Sequence, residues 1–234
     1  MQLFYAPDLS GDRYTLPEQE SKHCIRVLRM QTGEKINLTD GKGNMYVAEL
    51  INDDARHCEV KVVDIQKEYG KRNYHVHVAI APTKNIGRFE WFLEKATEVG
   101  IDEITPMICQ RSERKIVKTD RLNKVITAAM KQSVKAYHPQ LNDTAAFRDL
   151  LKIDHSGQKY IAYVEEGEHP LLQTVYTKGN DAVILVGPEG DFSPEEVNMA
   201  RELGFATVSL GSSRLRTETA GVVAVSTFAL LNNQ

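Results

Sequence analysis

Arg214, Arg216 and Glu218 stand at alternate positions in Leu210-Gly211-Ser212-Ser213-Arg214-Leu215-Arg216-Thr217-Glu218-Thr219-Ala220, directly before a strongly apolar stretch. Two guanidinium groups beside so apolar a segment must either be paired, with Glu218 as a partner, or face a polar cleft. A second segment, Val183 to Glu196, runs from a buried-looking strand through Gly187-Pro188-Glu189-Gly190-Asp191-Phe192 into Ser193-Pro194-Glu195-Glu196. Ser193 with Glu196 three residues on is a capping box, and Pro194 fits the first helical position. Glycines at the carboxyl end of a parallel strand let a ligand approach the main chain. No Gly-Lys-Ser/Thr follows, and Glu189 and Asp191 would repel phosphate, which excludes a phosphate loop. Such a turn suits a purine edge and a sulfonium cation, or serves as a tight connection with no ligand at all. Two turns of this kind, each after a strand, imply a pocket built from several loops.

Other chemistry is weakly represented. Cys24, Cys58 and Cys109 are odd in number and widely spaced, which fits neither a disulfide framework nor a zinc site; buried reduced thiols are expected. His75 and His77 share a strand face, but no acidic or cysteine partner lies at ligand spacing, so no metal is expected.

The elements that must position these residues fall into two textures. The first 70 residues read as β-rich, with strands at 2–5, 35–39, 45–51 and 58–65, a turn at Asp40-Gly41-Lys42-Gly43-Asn44, and a short helix opening near Pro17. Short strands and one helix in that length suggest a small barrel. The polar run 66–73 marks a boundary, and after it strands and helices alternate. Strands are expected at 75–81, 103–109, 160–164, 181–186 and 206–210. Helices are expected from Ile86 to Gly100, over 120–137, over 193–203 and over 220–231. This alternation argues for a mainly parallel sheet covered by helices. With 234 residues and 41% hydrophobic content there is ample material for a core. No apolar run is long enough to span a membrane and the N-terminus lacks a signal-peptide layout, so a cytoplasmic protein is expected.

The net charge of −3 conceals an uneven distribution. Over 111–135, eight basic residues face only Glu113 and Asp120. Lys124, Lys131 and Lys135 also share one helix face. A loop plus a helix face of one sign is what a phosphate backbone needs, although a solvated face has the same composition. His23, Arg26 and Arg29, with Lys22, form a smaller cluster after the first helix.

Taken together, GPEGDFSPEE (187–196) and LGSSRLRTETA (210–220) resemble the SPOUT class of methyltransferases, and within it the RsmE family of 16S rRNA uridine N3-methyltransferases. HCIRVLRMQTGEKINLTDGKGN (23–44), EWFLEKATEVGIDEITP (90–106) and KQSVKAYHP (131–139) extend the resemblance over essentially the whole chain. The sequence departs from the family pattern in three places. Asp191 replaces the usual second glycine, Arg214 stands where an aliphatic residue is common, and Met130-Lys131 precedes Gln132-Ser133 where Glu-Gln-Ser is usual.

The resemblance implies an α/β fold: a PUA-like N-terminal β-barrel (1–70), which binds RNA, and a trefoil-knotted SPOUT methyltransferase domain (74–234). It also implies S-adenosylmethionine as methyl donor, a homodimer, and 3-methyluridine at position 1498 of 16S rRNA in the small subunit as product. Val164, Glu166, Val186, Gly187, Glu189, Gly190, Leu210, Gly211, Leu215, Arg216 and Ala220 then become the donor-binding candidates. Arg216 would stabilise charge developing on the uracil oxygens, with Glu218 as base or as the group orienting Arg216. RNA contact would fall to His23, Arg26, Arg29, Arg111, Arg114, Lys115, Lys124, Lys131, Gln132 and Lys135, with no metal or membrane involved. Other readings are a SPOUT enzyme acting on another RNA nucleoside, a non-catalytic ribosome-assembly factor, and a nucleotide-dependent metabolic enzyme. The missing GxGxxG and Walker patterns count against the last.

Overall fold

Every residue of Val76–Ile80 and of Ala182–Val186 is buried, as strands covered on both faces by helices must be. The computed structural model describes residues 2–153, 155, 157–164 and 169–233. It divides into two compact units: Met1–Lys71 with Thr127–His138, and Arg72–Ile126 with Pro139–Gln234.

The first unit is a five-stranded sheet of β1 (Leu3–Tyr5), β2 (Arg13–Thr15), β3 (Lys35–Thr39), β4 (Met45–Asn52) and β5 (Glu59–Gln66). Its order is β1-β3-β4-β5-β2, antiparallel except for the β1–β3 pair. The sheet encloses Phe4, Leu16, Leu38, Leu50 and Val60. Asp40 holds the β3–β4 turn, accepting from the backbone N–H groups of Lys42 (2.8 Å) and Asn44 (3.2 Å) and from Tyr46 Oη. Cys24 and Cys58 are buried free thiols here, and Cys109 is one in the second unit, as expected. Helix α1 (Glu18–Lys22) does not continue as an α-helix: His23–Val27 form a π-helical turn. Spacing alone does not reveal such an insertion.

The second unit centres on β6 (Val76–Ile80), β7 (Glu103–Ile108), β8 (Gln140–Leu141), β9 (Ala145–Ala146), β10 (Gln158–Ala162), β11 (Ala182–Val186) and β12 (Ala206–Val208). The order is β12-β10-β11-β6-β7-β8 with β9 on β7, and every pairing is parallel. On one face, α2 (Ile86–Val99) packs on α7 (Thr217–Asn232). The contact is close: a Cβ on Gly221 would stand 2.6 Å from the Phe92 ring and 2.9 Å from Ile80 Cδ1. The other face carries α4 (Phe147–Leu150) and α6 (Pro194–Glu202) over Ala79, Met107, Leu185 and Phe192. Short α5 (Leu172–Val175) follows β10.

Helix α3 (Thr119–Gln132) stops five residues short of the expected Tyr137. Val134 adopts φ 54°, its N–H bonds Lys131 O and the Lys135 N–H bonds Met130 O. This is a Schellman close, in which a left-handed residue satisfies the last carbonyls. A β-branched valine is the last residue one would choose for it, so the stop left no mark in the sequence. The capping box at α6 forms as expected: Ser193 Oγ accepts from the Glu196 N–H and Glu196 Oε2 from the Ser193 N–H.

Candidate active site

Three adjacent strands, β12, β10 and β11, end at the same edge of the second unit, and the loops that leave them enclose a cavity of about 570 Å³. Val164 lines it after β10, Gly187, Pro188 and Asp191 after β11, and Ser209 to Leu215 after β12. Val186 and Ala220 complete an apolar wall. Of the expected donor residues, Val164, Val186, Gly187, Leu210, Gly211, Leu215 and Ala220 therefore meet in one place. Glu166 lies outside the described residues.

A smaller cavity of about 440 Å³ shares Val164, Pro188, Asp191, Arg214, Leu215 and Thr217 with the first, and there Glu189 and Arg216 join the wall. Glu189 and Arg216 thus belong to the adjoining space and not to the larger cavity. Gly190 lines neither; its carbonyl instead accepts from Arg111 Nη1 at 2.9 Å.

The expected Arg216–Glu218 pair is not what forms. Arg216 is the N-cap residue of α7 and exposed, whereas Glu218 points inward, with its side chain 8% exposed. Its cation is Arg88 of α2, whose Nε lies 3.8 Å from Glu218 Oε1. Glu218 Oε2 is buried with no hydrogen-bond partner. Two residues apart at a helix start, Arg216 and Glu218 lie on different sides of the helix. Sequence reasoning missed Arg88 because the partner comes from another element, 130 residues away.

The turn at 187–193 is held from several directions. Glu189 Oε1 accepts from the Lys84 N–H (2.9 Å), and Arg111 Nη1 also donates to Phe192 O (3.2 Å). Asp191 sits at φ 62°. Its Oδ1 accepts from the Phe192 N–H at 2.8 Å, and a second bond comes from the Val164 backbone. Burial pushes its carboxyl above the usual range, opposed by these bonds and by Arg111 and Arg214.

The expected RNA-binding residues divide between the units. In the second, Lys115 and Lys124 are exposed. Arg111 is engaged as described, and Arg114 donates to the carbonyls of Thr83 (3.0 Å) and Lys84 (2.6 Å). Both arginines therefore brace loops as well as carrying charge. The first unit holds His23, Arg26 and Arg29 together with Lys131, Gln132 and Lys135. Arg26, Arg29 and Gln132 are exposed, Arg29 in a left-handed conformation (φ 58°), and His23 Nε2 contacts Gln2 Nε2 at 3.1 Å. Lys131 Nζ is paired with Glu20 at 2.5 Å, so its charge is already answered. Among the described residues no group of three or more His, Cys, Asp or Glu side chains could hold a metal ion, and no helix is long and apolar enough to cross a membrane.

Comparison with known proteins agrees with this arrangement. Residues 70–229 match the family of RNA methyltransferase domains, and residues 16–63 match the PUA domain of RNA methyltransferases. A crystal structure of a probable rRNA-methyltransferase from Porphyromonas gingivalis is similar over 100% of this chain and 99% of its own, with TM-score 0.94 and 41% identity. A ribosomal RNA small subunit methyltransferase E from Neisseria gonorrhoeae, solved bound to S-adenosyl methionine, is similar over 99% of this chain and 98% of its own (TM-score 0.87, 28% identity). The protein of the same name from Aquifex aeolicus is 29% identical over 97% of this chain and 98% of its own. The fold is thus an α/β RNA methyltransferase domain preceded by a small PUA domain, and the chain belongs to the RNA methyltransferase family, beside the proteins named ribosomal RNA small subunit methyltransferase E.

Proposed function

We propose that this protein methylates N3 of uridine 1498 in 16S rRNA of the small ribosomal subunit, giving 3-methyluridine, with S-adenosylmethionine as donor. The observation that carries the reading is the pair of adjoining cavities, one glycine-lined with an apolar wall on one side, the other bearing Arg216. The larger falls within the range of about 300–1,000 Å³ typical of small-molecule sites. Its apolar wall and the glycine main chain lining it at Gly187 and Gly211 suit an adenosyl group. When bound there, the donor supplies a methyl group already activated on a sulfonium, so the chain's own task is positioning and charge management.

Uridine N3 carries a proton that leaves as N3 attacks, and negative charge builds on the uracil oxygens. Arg216, exposed on the smaller cavity, donates to those oxygens. Glu189 is the carboxylate lining that cavity beside Asp191, with Oε1 engaged by the Lys84 N–H; Oε2 takes the N3 proton. Glu218 lies behind the wall, where it holds Arg88 and the first turn of α7. Phosphate contact falls to Arg26 and Arg29, with His23, Gln132 and Lys135, in the first unit, and to Lys115 and Lys124 in the second. A homodimer in the cytoplasm completes the reading, supported by exposed Trp91 on α2 and Leu230 on α7, two helices that pack together.

The test is mass mapping of 16S rRNA nucleosides from cells lacking the gene, complemented with wild type or Arg216→Ala. Loss of 3-methyluridine, restored by wild type alone, is expected. An unchanged nucleoside map overturns the assignment.

A further inference from the structure

Asp191 holds a charged side chain where the backbone favours glycine, since φ of 62° lies in the left-handed region. Such local strain persists where surroundings over-determine it and clusters at ligand sites. Its carboxylate is half-buried, anchored by two backbone N–H groups, and lines both cavities. Arg214, on the neighbouring loop, lines both cavities as well. The two charges sense one another, yet no ion pair between them forms among the described residues. Within the larger cavity they are the only carboxylate and guanidinium in the described wall, which elsewhere offers apolar Val186, Leu210 and Leu215 and polar His169, Ser209 and Thr217. An anion and a cation on two loops of one cavity, not closed on each other, match a ligand carrying both charges on one carbon.

We propose that Asp191 and Arg214 are the receptor for the zwitterionic amino-acid end of the donor, Asp191 taking the α-ammonium and Arg214 the α-carboxylate. This rests on the donor reading above. The backbone bonds to Asp191 fix where its carboxylate points, so the position costs the ligand little ordering entropy. The planar guanidinium of Arg214 suits a carboxylate better than an ammonium point charge would.

The test compares two ligands by calorimetry: S-adenosylhomocysteine, and 5′-methylthioadenosine, which has the nucleoside thioether without the amino-acid end. Asp191→Asn keeps an oxygen to accept the two N–H bonds but removes the charge. Asp191→Gly removes the side chain and relaxes φ. Arg214→Leu removes the cation. All three are expected to bind S-adenosylhomocysteine about tenfold more weakly than wild type, with 5′-methylthioadenosine within about twofold. Equal losses for both ligands would mean that the two residues only shape the loops, and would overturn the receptor while leaving the donor reading intact. Undiminished S-adenosylhomocysteine affinity in the variants would overturn it too. A wild-type protein that binds neither ligand overturns the donor reading and the receptor with it.

Discussion

Arg88 of α2 reaches across to Glu218 in the first turn of α7, Nε to Oε1 at 3.8 Å, and ties the helix that follows the Arg214–Arg216 loop to the helix it packs on. Glu218 is nearly buried while Arg88 is 43% exposed, so the ion pair is screened on one side only. Removing Arg88 leaves a carboxylate buried without its cation. Arg88→Ala is expected to lower stability by about 1–2 kcal/mol. The same change should lower turnover with little change in donor affinity, and Arg88→Lys should restore part of both. Denaturant melts alongside kcat and Kd measurements check this; a variant with wild-type stability and turnover would show that the pair contributes nothing.

A second prediction concerns acid. His77 is buried, 2.8 Å from Thr105 Oγ1, and burial pushes its pKa down to about 4. Glu103 opposes that shift, while His155 and His75 reinforce it. The unfolded chain takes up a proton as pH falls below about 6.5, but the native state does so only near 4. The contribution of His77 is therefore complete above pH 6.5 and is lost as pH falls toward 4, by about 3 kcal/mol in all. In His77→Gln the pH dependence of stability over that window should flatten, which urea melts between pH 4 and 7 will read.

Third, RNA affinity should fall steeply with salt. Arg26 and Arg29 are exposed on and just after the π-helical turn, so replacing either by Ala should reduce the slope of log affinity against log salt by about 1. Lys131→Ala should change it less, because Glu20 already pairs with that lysine. Filter binding at several salt concentrations separates the three.

Gly221 gives a prediction on packing. A methyl group there meets Phe92 and Ile80 on the buried face of α7. Gly221→Ala is expected to destabilise the protein by about 1–3 kcal/mol, despite the better helix propensity of alanine. A gain in melting temperature would show that α2 and α7 part easily.

Much of this architecture was legible in the sequence, for identifiable reasons. The strand β11 and the capping box at Ser193–Glu196 announced themselves because buried parallel strands and helix starts depend on local residue types. The three loop segments at the cavity were legible for the same reason, since each follows a strand. What stayed hidden depends on partners far along the chain. Glu218 was paired in expectation with its neighbour Arg216, yet the fold supplies Arg88. Arg111 and Arg114 read as free charge and turn out to brace backbone carbonyls. The grouping of Thr127–His138 with the first unit leaves no local trace, because α3 continues without a break in pattern across the division.

The three loops that wall the larger cavity follow β10, β11 and β12, and β10 lies between the other two although it comes first in the chain. β10 and β11, paired directly, supply only part of that cavity, and it is whole only with the residues from Val208 to Ala220. It comes into being only when β12 has docked on the far side of β10, a non-local pairing of the kind that closes late in folding. A ligand seated there binds the finished sheet and nothing that precedes it. Its concentration is then a control on the lifetime of the folded protein: at a hundred times the dissociation constant it adds about 2.7 kcal/mol to the native state.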